Sequence, residues 1–141
     1  MKKTLCLLLL VLFCLLPVGC AKSPDAPIGF EVLPETVTPT GLTYRITRGA
    51  ENWGFGDDYA LEKQENGEWV AVPIVESDIE LAFNAIEHVL DPGQQKDMTA
   101  NWLLLYGELA DGHYRMVKTF DNEENGSHDR ITLYAEFDIR S

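Results

Sequence analysis

The stretch ITLYAEFDI, residues 131–139, decides the fold class of this chain. Every odd-numbered position carries an apolar side chain, and Thr132, Tyr134, Glu136 and Asp138 occupy the positions between them. Successive side chains of a β-strand point to opposite faces, so this alternation is typical of a strand with one face on a core. The C-terminal segment therefore predicts a half-buried strand.

The same period of two recurs throughout the chain from Gly29 onward. Strand-like runs cover residues 30–33, 42–47, 58–63, 68–73, 97–104 and 113–120. Turn signals separate the runs, and Asn66-Gly67 is the strongest hairpin signal. Residues 77–89 could hold a helical turn or two, or an irregular crossing. About seven short strands predict an all-β fold, an antiparallel sandwich of two sheets.

The segment GELADGHYRMVKTF, residues 107–120, contains a candidate structural corner. In immunoglobulin-like sandwiches, a tyrosine near the start of the penultimate strand bonds back to the preceding corner. Tyr114 fits this position, and Gly112 lies two residues before it. Met116 stands where an antibody domain has its second cysteine, so apolar packing would replace the disulfide.

The chain resembles the bacterial immunoglobulin-like domains of small Gram-positive lipoproteins. The matching segments are LPETVTPTGLTYRITR, FGDDYALEKQENGEWVAVP, AFNAIEHVLDPGQQKDMTANW, LYGELADGHYRMVKTF and TLYAEFDI, which together cover about residues 33–139. The resemblance implies an immunoglobulin-like antiparallel β-sandwich of about seven strands. It carries no known catalytic residues, so it implies no enzymatic activity.

The N-terminus predicts export. Lys2 and Lys3 precede an apolar core, residues 4–16, whose helical length of about 20 Å is too short for a bilayer. Pro17 ends that run, as in a secretory signal. Gly19-Cys20 resembles the cleavage and lipidation site of bacterial lipoproteins, although that family usually has leucine where Pro17 stands.

We therefore expect a signal peptide over residues 1–19, a lipidated Cys20 with a tether over 20–28, and a folded domain over 29–141. Two prolines mark the tether, whose residues 21–28 extend at most about 27–29 Å. The lipid would hold the domain at the extracytoplasmic face of the cytoplasmic membrane. The alternative is ordinary cleavage nearby, which would give a secreted protein.

Charge and cysteine usage exclude several classes of function. The chain has 11 bases against 23 acids, and since Lys2 and Lys3 lie in the leader, nine bases remain for a net charge of −14. Such a surface repels nucleic acid, so we expect no nucleic-acid partner. No cysteine follows Cys20, which removes disulfides, thiol nucleophiles and thiolate metal sites from the domain. No cofactor is predicted.

Two loops are candidate binding sites. Asp121, Glu123 and Asn125 imitate the start of a calcium loop, but Thr132 stands where such a loop has its bidentate glutamate, so a plain acidic hairpin is the alternative. The loop of residues 52–59 carries Trp53, Phe55 and Tyr59 among glycines. These rings could stack on sugars or anchor a protein partner, but we favour closure of the sandwich core.

The remaining polar candidates favour structural roles. Residues 127–129 spell Ser-His-Asp, but adjacent side chains diverge and cannot form a catalytic triad. His88 and His113 lack ligand spacing, so we expect solvated or capping histidines. Trp69 and Trp102 lie within strand-like runs and are predicted to be core residues.

The sequence leaves two functional hypotheses. The first is a non-enzymatic binding module on a lipid anchor that recognises an unknown envelope protein or polymer. The alternative is a proteinase inhibitor of sandwich fold, because residues 91–114 resemble small bacterial inhibitor domains and residues 38–41 resemble the reactive loop of a cysteine-protease inhibitor. An enzyme is a distant third, since nothing supplies a paired acid and base or an activated nucleophile.

Overall fold

Seven strands form two antiparallel sheets in a computed structural model, which describes residues 27–75, 83–126 and 128–140. The strands are β1 (Ile28–Val32), β2 (Gly41–Arg48), β3 (Ala60–Glu65), β4 (Glu68–Ala71), β5 (Gln95–Asn101), β6 (Gly112–Asn122) and β7 (Asp129–Ile139). One sheet has the order β1-β2-β5 and the other β4-β3-β6-β7. The predicted all-β, immunoglobulin-like sandwich is confirmed.

Each of the seven predicted strand-like runs overlaps one observed strand, but β5 ends at Asn101, before the end of the predicted run over residues 97–104. A single helical turn, α1 (Leu103–Tyr106), follows β5 and stops at Gly107, which has a φ of 72°. The Asn101 side chain accepts a hydrogen bond from the Leu103 N–H at the start of this turn. A short continuous apolar run such as LLLY does not distinguish strand from helix, which explains the error.

The structure also bears on the predicted Asn66-Gly67 hairpin turn and on the predicted crossing over residues 77–89. Asn66 and Gly67 join β3 to β4 with φ values of 52° and 83°, the left-handed pair of a type I′ hairpin turn. Residues 83–89 of the predicted crossing contain no helix; their regular feature is the bridge between His88 and Phe55.

The core lies between the sheets, and seven of the 17 buried apolar residues in the described part of the chain are aromatic. Tyr44, Ile46, Trp102, Met116 and Phe120 are almost fully buried. Burial of each such side chain contributes on the order of 1.5–3 kcal/mol. The apolar Met116 in this core fits packing in place of a disulfide.

The sandwich has two distinguishable ends. Ile28 pairs with Arg48 at one end, which we call the N-terminal end because β1 begins there. The opposite or corner end contains the turn before Gly41 and the segment from Trp102 to Gly112. Within the described residues, no helix is long and apolar enough to cross a membrane.

Candidate functional site

Tyr114 forms the contact expected of a tyrosine corner. Its hydroxyl donates to the Ala110 carbonyl oxygen over 2.8 Å, and its ring stacks on Phe137 with centroids 5.7 Å apart. Phe137 in turn stacks on Trp102, whose indole N–H donates to the Pro39 carbonyl over 2.9 Å. The corner end is therefore a stack of three rings with both polar groups satisfied.

Gly112 leaves room for a lysine over this corner. A Cβ at Gly112 would lie 2.8 Å from Lys63 Cε and 3.2 Å from the Tyr114 ring. The Lys63 ammonium lies 5.5 Å from the centroid of that ring. The missing side chain thus lets the lysine stem cover Tyr114.

The turn over residues 38–41 is held firmly against the domain. The Pro39 carbonyl accepts from the Leu109 N–H as well as from the Trp102 indole, and the Thr40 carbonyl accepts from the Trp102 backbone N–H, each over 2.9 Å. These bonds engage the backbone carbonyls of Pro39 and Thr40 within the domain.

The loop of residues 52–59 closes the core, and the exposed-aromatic alternative is corrected for two of its rings. Trp53 and Phe55 are 6% and 2% exposed. Gly54 exchanges two backbone hydrogen bonds with Asp121, which brings the loop down onto the sheet. Tyr59 is half-buried against Phe83, with ring centroids 5.2 Å apart.

A buried lysine fastens this loop to β6. Lys118 is 1% exposed, and its ammonium donates to the carbonyl oxygens of Gly56 and Asp58 over 2.6 and 2.8 Å. The same ammonium lies 5.6 Å from the Tyr44 ring and 5.7 Å from the Phe55 ring. Burial lowers the pKa of Lys118, because desolvation disfavours the charged form.

His88 belongs to a half-buried polar chain. Lys96 lies 2.9 Å from its Nδ1 and Asp57 lies 2.7 Å from its Nε2. An ammonium can only donate, so Nδ1 accepts and the proton resides on Nε2. The hydrogen bond from His88 lowers the pKa of Asp57. His88 is thus a bonded connector of the loop and β5.

In the candidate calcium loop, the first carboxylate, Asp121, is engaged by an arginine. The Arg130 Nε donates to Asp121 over 2.6 Å, and Glu123 lies 3.7 Å from His128. Ser127 and the side chain of Asn125 lie outside the described residues. Within the described part, no three histidine, cysteine or acidic side chains are grouped to hold a metal ion.

Trp69 is not in the core, contrary to the sequence-based expectation. It lies half-buried on the outer face of the four-stranded sheet. There, Arg115 of β6 inserts its guanidinium 4.4 Å from the Trp69 ring centroid and 4.0 Å from that of Tyr134. The His113 ring lies 5.4 Å from Trp69. We call these four side chains the aromatic–cation ladder.

Carboxylates on the neighbouring strands hold the two cations of the ladder. Arg115 Nε donates to Glu62 over 2.5 Å. His113 Nδ1 lies 2.8 Å from Asp138, and its Nε2 lies 3.1 Å from Glu136. Ionised carboxylates can only accept, and only charged His113 can donate from both ring nitrogens, so these two partners favour the imidazolium form. These hydrogen bonds, that of Asp138 first, raise the pKa of His113.

Sequence reasoning missed the ladder because its members come from three strands. The alternation places His113 and Arg115 on one face of β6, but it does not reveal which residues of β4 and β7 lie opposite. The register sets Arg115 against Glu62 and Glu136, and Val117 against Tyr134. The sequence signal that could have indicated the ladder was the alternation of polar residues along β6, followed in the chain by a strand, β7, that contains Tyr134.

A family model described as "Bacterial Ig-like domain" matches residues 29–138. No match was found among curated proteins or among solved structures. Gly19 and Cys20, the predicted cleavage and lipidation site, lie outside the described residues.

Proposed function

This chain belongs to the bacterial immunoglobulin-like domain family, and from that premise we propose that it is a non-enzymatic interaction module whose aromatic–cation ladder binds an envelope protein or polymer. Families with this fold place binding surfaces on a rigid sandwich. The observation that carries the proposal is an exposed sheet face bearing Trp69, Arg115 and Tyr134 together.

The chemistry of the ladder suits recognition. Tryptophan, tyrosine and arginine are the residue types most enriched at binding hot spots. Tyr134 is 49% exposed, and the Arg115 guanidinium orders both neighbouring rings before any partner arrives. A preordered surface loses little side-chain entropy on binding.

We further propose that Cys20 is lipidated and that the membrane holds the domain on its extracytoplasmic face. The resemblance of Gly19-Cys20 to a lipoprotein site supports this location, as does the short apolar leader. A module at this position meets envelope proteins and polymers.

Site-specific photo-crosslinking in living cells tests the proposal. A photoreactive phenylalanine analogue replaces Tyr134 in one strain and Thr99, exposed on the other sheet, in a control strain. We expect a discrete crosslinked product from position 134 and none from position 99. The Arg115→Ala change should reduce the yield several-fold, because the rings lose the cation between them.

The nature of the product identifies the partner class. A product cleaved by protease indicates an envelope protein, and one cleaved by a cell-wall hydrolase indicates a polymer. Equal products from both positions, or a yield that ignores Arg115→Ala, would contradict the proposal. Crosslinks between two copies of this chain are scored separately.

A further inference from the structure

Strand β7 has a free edge. In the described residues it pairs with β6 along its whole length and with no strand on its other side. β1 lies beside it in the other sheet and forms no ladder with it. An unpaired edge presents backbone donors and acceptors to another strand.

The hydrogen-bond pattern shows which residues present them. Asp121 exchanges both its backbone bonds with Gly54, so these groups point away from β7. Asp121 and Arg130 are therefore a non-hydrogen-bonded pair, and this state alternates along an antiparallel ladder. The residues whose N–H and C=O groups face the free edge are Arg130, Thr132, Tyr134, Glu136 and Asp138.

From this edge we propose that two copies of the chain associate by antiparallel pairing of their β7 strands about a two-fold axis at Tyr134. The axis lies at the middle of β7, so the register overlaps the entire strand. In this register, each residue whose backbone groups face the free edge lies opposite another such residue of the second copy. Tyr134 lies opposite Tyr134, and Thr132 lies opposite Glu136. This is the condition for about ten hydrogen bonds between the strands.

The side chains in this register are complementary in charge. Arg130 of each copy lies opposite Asp138 of the other. The Arg130 Nε already donates to Asp121, but its two terminal nitrogens are additional donors, and the side chain is 70% exposed. Opposite charges facing each other across an antiparallel pair stabilise it, whereas like charges destabilise it.

The edge also has room and apolar surface for a second strand. A groove of about 390 Å³ lies between the segment after β1 and the end of β7, lined by Val32 and Val37 on one wall and Glu136 on the other. Ile131 and Leu133 point inward but are only partly buried. In the paired register they face Phe137 and Ala135 of the second copy, which would cover them.

A mixing experiment with two charge-swapped variants tests the pairing. Arg130→Asp alone places Asp against Asp across the axis, and Asp138→Arg alone places Arg against Arg. Mixed one to one, the two variants pair Asp with Arg at both contacts. We expect each variant alone to lose at least about tenfold in association constant, and the mixture to recover it as a heterodimer.

Sedimentation velocity of the chain from residue 21 onward, which contains every described strand and core residue, measures the association across a concentration series at physiological salt. The mixture contains the same two variants as the separate samples, and only the pairing between chains differs. Any effect of a substitution on the fold of its own chain is therefore the same in both measurements. The matched control is Arg45→Asp mixed with Asp97→Arg, an ion pair on the outer face of the other sheet, where mixing should change nothing.

Thr132→Pro gives a second, charge-free readout. Its N–H faces the free edge, so proline removes an intermolecular donor and leaves the ladder with β6 intact. We expect this variant to be monomeric. A wild-type chain that stays monomeric at all concentrations would overturn the proposal, and so would a dimer insensitive to both the charge swaps and Thr132→Pro.

Discussion

At the scale of single residues, the corner end depends on one buried hydroxyl. Tyr114 is 2% exposed and its hydroxyl bonds Ala110. Tyr114→Phe should lower the free energy of unfolding by about 1–3 kcal/mol, because the Ala110 carbonyl loses its donor. Chemical denaturation of the two proteins measures the difference.

Tyr134→Phe is the matched control for this change. Tyr134 lies on the outer face and is half exposed, so removal of its hydroxyl should leave the denaturation midpoint nearly unchanged. An unchanged midpoint in Tyr114→Phe would show that the corner bond does not stabilise the fold.

His113 should make stability depend on pH. Its folded pKa lies above the ordinary value of 6.5, so the stabilisation is fully present below 6.5 and is lost as the pH rises through the folded pKa. The free energy of unfolding of the wild-type protein should therefore fall as the pH rises above about 6.5, and His113→Gln should lack this decrease.

A pH series of denaturation curves for wild type and His113→Gln isolates this component, because the two proteins differ only at position 113. Parallel profiles would show that the bonds to Asp138 and Glu136 do not favour the charged ring.

The structural roles of some residues could be predicted from the sequence, and those of others could not. Tyr114 was predictable because the corner is a local motif, with the tyrosine bonded four residues back. Lys118 was not, because its partners Gly56 and Asp58 lie about sixty positions away and a lysine within a strand is usually solvated.

At the scale of elements, that lysine joins the loop of residues 52–59 to β6. Lys118→Met keeps most of the buried stem but leaves the carbonyls of Gly56 and Asp58 without their donor. We expect the free energy of unfolding to fall by about 1–3 kcal/mol. The fluorescence of Trp53, which the same loop buries, should report local opening.

Lys63→Met serves as the control, since the Lys63 ammonium is partly exposed over the Tyr114 ring and donates to no buried carbonyl in the described part of the chain. Its effect should stay below about 1 kcal/mol. Equal effects of the two substitutions would show that the carbonyl bonds of Lys118 contribute nothing specific.

The strands themselves were largely predictable, because a half-buried strand shows its period of two without any tertiary information. The inward residues of β6 and β7 follow that period. The register between strands was not predictable from the sequence. Both the aromatic–cation ladder and the position of Trp69 on the outer face of the sheet depend on that register. The helical turn α1 was missed because it lacks any period.

At the scale of the whole molecule, the start of β1 and the ladder lie toward opposite ends of the sandwich. Val32, at the far end of β1, lines one groove together with Phe137 and Ile139. Ile28 therefore lies toward the opposite end of the sandwich, where β6 finishes with Asn122. Arg115 lies seven residues back along β6, a distance of about 23 Å. A lipid on Cys20 would therefore attach the chain at the end of the sandwich opposite the ladder.

That arrangement requires the acyl chains to be on Cys20. Cys20→Ser should abolish incorporation of labelled palmitate and either release the protein into the medium or leave it uncleaved, because serine cannot accept the thioether-linked lipid. Cys6→Ser and Cys14→Ser, inside the leader, should retain the label. Palmitate incorporation by Cys20→Ser would assign the lipid to another residue, and a wild-type protein without label would contradict the lipid anchor.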